Sequence, residues 1–341
     1  MPREGQPLDK LGFLTIGRFS EDDPRAGHLE TLRIIERAEE LGYDSVWLRD
    51  RHLQFGISSP VAVLAAAAVR TSRIELGTAV IPLGLENPLR LAEDLATVDI
   101  LSGGRLNPGV SVGTPMRYDD FKTALYPDTY DVEDFSKRRV TRLLDCLRGE
   151  PVSDFEGTVG IEVFSRRVQP HSPGLAGRVW YGGGRESAVW AAQNGLNYLT
   201  SSVVTVGDSA SRDFATIQAE HVDAYLAHVP DGAPARVSQG LVVIPTDSAT
   251  PDQVRRYQAY AQARYERTLT PQGPRGLLFS PDLVGRSDEL AEKLYAHAGF
   301  QRATEVAFAL PFSFEPRDYE QIIDDLAGGL GPALGWTPKS A

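Results

Sequence analysis

The sequence has little cysteine, no long apolar run and no excess of basic residues. Cys146 is the only cysteine of the 341 residues, so no disulfide can form within the chain. No apolar stretch approaches the roughly 20 residues that a membrane-spanning helix needs. The formal net charge of −11 disfavours a surface that binds nucleic acid or anionic lipid. Together with the polar start MPREGQPLDK, these absences predict a cytoplasmic protein without a nucleic-acid or membrane partner.

Histidine is scarce as well, and its spacing does not indicate a metal site. None of the six histidines is placed as in His-x-x-x-His, so we expect no bound metal. His221 and His228 are seven residues apart in a predicted helix and share one of its faces. We interpret these two as part of a solvated stripe.

Short β-rich runs alternate with amphipathic helical stretches along the whole sequence. Repeated strand–helix units imply parallel strands joined by right-handed helical crossovers. Eight such units predict an α/β fold of the (β/α)₈ TIM-barrel type, and a doubly wound open sheet is the competing architecture. The predicted strands lie at 11–17, 44–48, 73–82, 105–113, 177–184, 196–202, 236–245 and 305–312.

The chain is longer than the roughly 250 residues typical of such a barrel. We expect a single domain over 1–330, with insertions after strands four and six. The irregular excursions lie near 114–130, 152–170 and 202–235, and 152–170 is typical of a β-hairpin. Residues 331–341 form a tail, rich in glycine and proline, without a clear element.

A charged stretch follows the second predicted strand. In SVWLRDRHLQFG, the apolar residues Val46 to Leu48 are followed directly by Arg49, Asp50, Arg51 and His52. Catalytic groups of a (β/α)₈ barrel lie at the carboxyl ends of its strands, because side chains fill the interior. The stretch is therefore a candidate catalytic site, and a solvated loop with a structural ion pair is the alternative.

Four further strand ends carry small or hydrogen-bonding residues, namely GTAV, GVSVGT, YGGGRES and LTSS. In YGGGRES, three glycines expose backbone N–H groups at the entrance of a helix, a favourable place for an anion. The stretch is interpreted as a phosphate cradle, with a flexible turn as the alternative. It is neither GxGxxG nor GxxxxGK[ST]. Together these ends suit a large flat ligand with one phosphate, such as FMN.

At this point the sequence resembles the bacterial luciferase-like flavin-dependent monooxygenases. The resemblance is strongest over 11–202 and is carried, in order, by AEELGYDSVWLRDRH, TSRIELGTAVIPL, NPLRLAEDLATVDILSGGRL and YGGGRESAVWAAQNGLNYLTS. It implies a TIM barrel that takes reduced FMN from a separate reductase and uses O₂ on a small organic substrate. It also implies a homodimer or higher homo-oligomer.

The resemblance further implies roles for individual residues. His52 would face the reactive edge of the flavin, and the segment around Ala79 and Val80 often contains a non-proline cis peptide in this family. The cofactor-binding residues carried over are Thr78, Ala79, Val80, Ser111, Gly113, Gly183, Gly184, Arg185, Glu186, Ser187 and Ser201.

The sequence departs from the family pattern at the charged strand end. Asp50 and Arg51 stand where a glutamate and the first histidine are usual, and Val112 replaces a phosphate-binding arginine for which Arg185 is expected to compensate. We expect three catalytic residues. Arg51 would bind an anionic group of the substrate or of the reduced flavin, Asp50 would orient Arg51, and His52 would donate or accept a proton.

Other functions remain open at this point. The same fold can use the deazaflavin F420 for hydride transfer, as a dehydrogenase or reductase. A non-catalytic flavin-binding subunit and a phosphate-binding barrel isomerase are further alternatives. The excursion 114–130, with Arg117, Tyr118 and Phe121, is long enough to act as a lid.

Overall fold

The structure is a computed structural model and describes residues 7–207, 209–303 and 305–339. Its strands, in chain order, are β1 (Lys10–Thr15), β2 (Ser45–Leu48), β3 (Glu75–Thr78), β4 (Ile81–Pro82), β5 (Leu106–Asn107), β6 (Gly109–Ser111), β7 (Gly157–Val159), β8 (Glu162–Phe164), β9 (Trp180–Gly182), β10 (Asn197–Leu199), β11 (Val203–Thr205), β12 (Val237–Gln239), β13 (Val243–Pro245), β14 (Leu277–Phe279), β15 (Leu283–Gly285) and β16 (Glu305–Ala309). Its α-helices are α1 (Pro24–Glu40), α2 (Pro60–Ala68), α3 (Pro88–Leu101), α4 (Tyr118–Leu125), α5 (Arg138–Arg148), α6 (Arg185–Gln193), α7 (Phe214–Leu226), α8 (Pro251–Tyr265), α9 (Ser287–Ala296), α10 (Pro316–Asp325) and α11 (Gly331–Ala333).

Ten of the strands form one parallel sheet in the order β4-β6-β9-β10-β12-β16-β1-β2-β3-β5. The two ends of this order lie next to each other, because β3 and β4 are separated only by residues 79–80, and β5 and β6 only by Pro108. β3 pairs with β5, and β4 pairs with β6. The pairings therefore run round a ring in a TIM-barrel-like arrangement. All eight predicted strands contribute to it, and the open sheet is not formed.

Local sequence signals begin two of the helices next to the ring. Asn87 precedes Pro88 at the start of α3, and its side-chain oxygen accepts a hydrogen bond from the Leu89 N–H at 3.0 Å. Asp23 accepts a bond from the Ala26 N–H at 2.9 Å at the start of α1. These caps satisfy backbone donors that a helix leaves without partners. They define where the loops after β1 and β4 end.

Aromatic and aliphatic side chains fill the centre of the ring. Trp47, Trp180, Leu199 and Ala307 form one buried cluster. The two indole rings meet edge to face at 5.3 Å, and a Cβ atom added at Gly77 would lie 2.2 Å from Trp47. Because the interior is packed, it leaves a ligand only the mouths of the ring.

At the amino ends of the strands, the ring is closed by an ion-pair network. Arg236 lies 2.8 Å from Glu305 and 2.9 Å from Glu75, and Lys10 reaches the other oxygen of Glu75 at 2.5 Å. Arg236 also donates to Asn107 at 3.1 Å. Each of the four charged groups Lys10, Glu75, Arg236 and Glu305 therefore has an opposite charge within contact distance.

The remaining strands form small sheets outside the ring. β7 and β8 make an antiparallel hairpin inside 152–170, as predicted, and β11 pairs with β14. The predicted strand 236–245 is two strands: β12 joins the ring, whereas β13 pairs with β15. Pro281 interrupts the apolar run that contains β14 and β15, so the sequence alone indicates no partner for β13.

Residues 331–339, the described part of the segment predicted as a tail without a clear element, are packed onto the barrel. α11 begins at Gly331, and the buried Trp336 donates its indole N–H to Asp44 Oδ2 at 2.7 Å. The Leu8 N–H donates to the Leu334 carbonyl at 2.9 Å, so this segment covers the beginning of β1. The buried indole with its paired N–H, together with the buried Leu334, holds this glycine- and proline-rich segment against the barrel.

Two kinds of feature are absent from the described ranges. None of their helices is both long and apolar enough to cross a membrane. Their histidine, cysteine, aspartate and glutamate side chains form no group of three or more that could hold a metal ion.

Candidate active site

Two cavities meet at the carboxyl ends of the ring strands. The first chamber has a volume of about 240 Å³ and the second a volume of about 360 Å³. Arg49, Ala79 and Val80 line both of them, so the chambers share one wall. This places the charged end of β2 and the glycines after β9 at the same mouth of the ring, as a shared site requires.

The shared wall is the interruption between β3 and β4. The Ala79–Val80 peptide bond is cis, as the resemblance implies. Thr78 lies behind this wall, fully buried, and does not line a chamber. Its hydroxyl donates to the Gly109 carbonyl at 2.8 Å and accepts from the Gly109 N–H at 2.9 Å. Thr78 thus ties the interrupted strand to its neighbour and holds the wall in place.

Glycines and residues with hydroxyl groups form part of the lining of the first chamber. A Cβ atom at Gly183, whose φ is +155°, would lie 2.5 Å from Ser187 Oγ, so only glycine fits there without a shift of the serine. The glycines and hydroxyl residues that line the first chamber include Gly182, Gly183, Gly184, Thr200, Ser201 and Thr205.

Three predicted members of the phosphate cradle lie beside the first chamber without lining it. Arg185, Glu186 and Ser187 form the first turn of α6, where Arg185 and Glu186 are exposed to solvent. Ser111 and Gly113, at and beyond the end of β6, line neither chamber among the described residues. The glycines and Ser201 therefore form the wall, and the residues at the helix start support it from outside.

Several polar residues that line the first chamber are not predicted from the sequence, among them His221 and Gln218. His221, interpreted there as part of a solvated stripe, is 5% exposed and lines the chamber, so that interpretation is wrong. Burial lowers the pKa of His221, and the positive charge of Arg185 acts in the same direction. Gln218, one helical turn earlier, donates to the Ser201 carbonyl at 3.0 Å. The spacing of Gln218 and His221 on one face of α7 is the signal that could have revealed them.

In the second chamber, Asp50 is paired with His52. His52 Nε2 lies 3.2 Å from Asp50 Oδ1, and the Asp50 side chain is 1% exposed. No well-aligned hydrogen-bond donor reaches either Asp50 oxygen from the described residues. The adjacent Asp50 carboxylate raises the pKa of His52. Burial and the negative charge of Asp50 raise the pKa of Glu86, which also interacts with His52.

This arrangement changes the predicted role of Asp50. From the sequence we predict that Asp50 orients Arg51, but the described hydrogen bonds and ion pairs include none between these two side chains. Arg51 instead lies over the ring of Phe312, with its guanidinium carbon 5.6 Å from the ring centroid. Arg49 lies over the same ring at 5.3 Å. The four consecutive residues thus separate into an arginine pair and an Asp50–His52 pair.

Apolar residues from two segments also line the second chamber, together with the charged Arg117 and Asp120. Pro82 and Leu85 come from the segment after the shared wall, and Pro115, Met116 and Phe121 come from the excursion 114–130. Part of this excursion is the helix α4, preceded by Arg117, which pairs with Asp120 at 2.5 Å. The excursion predicted to act as a lid therefore forms one wall of the chamber.

Comparisons with known proteins agree with this architecture. A family model described as luciferase-like monooxygenase matches residues 10–321. The 4-hydroxyprotoasukamycin monooxygenase of Streptomyces nodosus subsp. asukaensis is 37% identical over 110 residues, which are 32% of this chain and 27% of that protein. The F420-dependent glucose-6-phosphate dehydrogenase of Kineococcus radiotolerans is 32% identical over 212 residues, 58% of each chain. The chain therefore spans 27% and 58% of the lengths of these two relatives.

A solved structure shows the same fold over nearly the whole chain. It is the oxygenating constituent of 3,6-diketocamphane monooxygenase from the CAM plasmid of Pseudomonas putida, in complex with FMN. The TM-score is 0.67, and the alignment covers 97% of this chain and 100% of that one. At 14% sequence identity, this likeness shows the fold alone.

Proposed function

Because the chain belongs to the family of luciferase-like monooxygenases, we propose that it is a flavin-dependent monooxygenase that uses reduced FMN and O₂ on a small organic substrate. The observation that carries the proposal is the pair of chambers joined at Ala79 and Val80. The first chamber is lined in part by glycines and hydroxyl groups, and the second is lined by ionisable groups and by apolar residues. Together they fall within the roughly 300–1,000 Å³ typical of small-molecule sites.

The residues of the first chamber fit a planar cofactor that carries a phosphate. The missing Cβ at Gly183 leaves space that a side chain would fill, and several hydroxyl groups lie close by. Ala79, Val80, Gly183, Gly184 and Ser201 would hold the cofactor. Reduced FMN would supply the electrons for the activation of O₂.

The Asp50–His52 pair supplies a proton-transfer group to the second chamber. Because Asp50 favours the protonated imidazole, His52 holds a proton at a higher pH than an isolated histidine does. A histidine in this state can donate a proton to a reacting group and take one back near neutral pH. Asp50 acts through His52 and is therefore a positioning residue in this proposal.

The excursion 114–130 serves to keep water away from the reaction. Its residues Pro115, Met116 and Phe121 line the second chamber together with the charged stretch Arg49 to His52. Water excluded by such a cover cannot compete with the substrate for reactive species or for the polar groups of the site.

An F420-dependent dehydrogenase or reductase is the second candidate. It is favoured by the identity of 32% that the chain shares with an F420-dependent glucose-6-phosphate dehydrogenase over 212 residues. The two candidates differ in cofactor and in the use of oxygen, so one set of measurements separates them.

The test is a titration of the purified protein with FMN, reduced FMN and F420, followed by fluorescence, and then a measurement of oxygen uptake. We expect reduced FMN to bind and oxygen uptake to accompany turnover. Tight F420 binding without oxygen uptake would establish the dehydrogenase or reductase. Flavin binding without turnover would indicate a non-catalytic subunit.

A matched pair of glycine variants tests the position of the cofactor. We expect Gly183→Ala to weaken reduced-FMN binding by about tenfold to a hundredfold, because the added methyl group collides with Ser187. Gly177→Ala is the control, since a Cβ atom there meets nothing within 4 Å. Equal affinities in the two variants would exclude Gly183 from the cofactor site.

The supply of reduced flavin and the assembly state complete the proposal. A separate reductase would deliver the reduced FMN, and the working form would be a homodimer or a higher homo-oligomer in the cytoplasm. Light scattering after size-exclusion chromatography measures the assembly state directly, and a monomer at working concentration would contradict this part.

A further inference from the structure

Two arginine side chains at the junction of the chambers have no anionic partner. Arg49 lines both chambers, and Arg51 lines the second. Within residues 7–207, 209–303 and 305–339, neither guanidinium group has a hydrogen bond or an ion pair. Both guanidinium groups lie over the ring of Phe312, at 5.3 and 5.6 Å from its centroid.

Positive charge exceeds negative charge around Phe312. Arg264 lies over the same ring at 5.6 Å, and Asp282 pairs with it at 2.6 Å. Burial, together with repulsion from Arg51 and Arg264, lowers the pKa of Arg49 to about 10. A desolvated arginine beside other arginines is costly unless an anion completes the site. The chain as a whole carries a net charge of −11, so this local excess of positive charge differs from the charge balance of the rest of the protein.

The carboxylate between the two arginines in the sequence pairs with neither of them. Asp50 lies between the two arginines in sequence, but its Oδ1 is 3.2 Å from His52 Nε2. Its negative charge acts on Arg51 only at a distance, and burial still lowers the pKa of Arg51. The second chamber is therefore lined both by two guanidinium groups without an ionic partner among the described residues and by apolar residues such as Pro82 and Met116.

We propose that Arg49 and Arg51 together bind a carboxylate of the substrate, whose apolar remainder packs against the wall formed by Pro82, Leu85, Pro115, Met116 and Phe121. A planar guanidinium group matches a carboxylate with two parallel hydrogen bonds, which a single ammonium group cannot do. The substrate is accordingly an apolar organic acid. This inference rests on the proposed function only where it assigns the second chamber to the substrate.

The anion bound by Arg49 and Arg51 could also belong to the cofactor instead of the substrate. Arg49 lines the first chamber as well, whereas Arg51 lines the second chamber alone. An anion held by both arginines must therefore lie on the side of the second chamber. The test measures the acid and the cofactor separately, so that it distinguishes the two sources.

The experiment uses the cofactor-free protein with hexanoate as the probe and hexanol as its neutral match, followed by ligand-observed NMR. We expect hexanoate to bind at least about tenfold more tightly than hexanol. Arg49→Gln and Arg51→Gln should each weaken hexanoate binding by about tenfold or more, the size expected for a lost charge-assisted hydrogen bond. Arg317→Gln is the control, because it removes the same charge from an exposed position on α10.

Two further measurements keep the result interpretable. Thermal melting of each variant shows that it is folded, and Arg49→Lys, which keeps the charge but loses the planar fork, should bind hexanoate with intermediate affinity. Reduced FMN and F420 are titrated into the same variants. The hexanoate result stands even if no flavin binds, so the two proposals fail independently.

Four outcomes would overturn the inference. Equal affinities for hexanoate and hexanol would show that no carboxylate site exists. Unchanged hexanoate binding in both Arg49→Gln and Arg51→Gln, or an equal loss in Arg317→Gln, would exclude these two arginines. Variants that lose the cofactor but keep hexanoate would assign the arginines to the cofactor.

Discussion

Arginine and carboxylate side chains lie at both mouths of the strand ring, but they are paired at one mouth and only partly paired at the other. At the amino ends of the strands, Arg236 has Glu75 and Glu305 within 2.9 Å. At the carboxyl ends, Arg49 and Arg51 have no such partner among the described residues. The two mouths thus contain the same types of side chain, but the arginine of the first has partners within the chain, whereas the two arginines of the second have none among the described residues.

The difference separates a structural role from a binding role. A charge network whose members satisfy one another contributes to the folded state and leaves nothing for a ligand to complete. Charges that are desolvated and unpaired destabilise the folded protein, and they persist where a bound molecule supplies the missing partner. The same side-chain types therefore indicate different functions, depending on whether their partners lie within the chain.

The largest expected effect is at the paired mouth. Arg236→Met should lower the free energy of unfolding by about 3–5 kcal/mol, because it leaves the buried carboxylate of Glu305 without its partner. Urea-induced unfolding measures this change. Arg317→Met on the surface should stay within about 0.5 kcal/mol of the wild type. Equal effects of Arg236→Met and Arg317→Met would remove the distinction between this mouth and the surface.

The corresponding substitution at the other mouth should have a small effect of the opposite sign. Arg49→Met removes a cation that burial and neighbouring arginines disfavour, so we expect unchanged stability or a gain of up to about 1 kcal/mol. The same unfolding measurement applies. A loss as large as that of Arg236→Met would show that Arg49 has a structural partner and would contradict the comparison.

The smallest expected effect concerns the pair of Asp50 and His52 at the carboxyl-end mouth. The pKa of His52 is raised above 6.5 in the folded protein, so its contribution to stability is fully present below about pH 6.5 and is lost as the pH rises through the raised value. Asp50→Asn should return the pKa of His52 towards 6.5 and abolish this contribution. An NMR titration of the imidazole measures the shift. Since the His52 side chain is 29% exposed, the change in stability should be small.

An unchanged imidazole titration in Asp50→Asn would contradict the proposed pair. Glu86→Gln provides a comparison, because Glu86 acts on His52 only through a longer-range charge interaction. We expect Glu86→Gln to lower the pKa of His52 less than Asp50→Asn does.

Features that depend on nearby residues could be predicted from the sequence. The ring strands follow from apolar runs bounded by turn residues, and the cap of α3 follows from Asn87 and Pro88. The common location of the charged stretch and the glycines follows from strand direction alone, because the carboxyl ends of parallel strands lie at the same mouth. The cis bond between Ala79 and Val80 was implied only by the resemblance.

Features that depend on residues far apart in the chain could not be predicted from the sequence. The free guanidinium of Arg49 is recognisable only when Phe312 and Arg264 are in place, far along the chain. Asp50 could pair with Arg51 or with His52, and the sequence contains nothing that decides between these neighbours. The spacing of His221 and His228 suggested a solvated stripe, but His221 is buried and interacts with the backbone of Thr205 in β11, a strand that pairs with β14 outside the ring.

The pairing of β1 with β16 has a consequence for the synthesis of the protein. β1 leaves the ribosome early, yet its neighbour on one side, from Lys10↔Glu305 to Leu14↔Ala309, is made only after most of the chain. At ~5–20 residues per second, the nascent β1 waits roughly 15–60 seconds for that neighbour. During this interval one edge of the growing sheet is open, and chaperones have the opportunity to cover it.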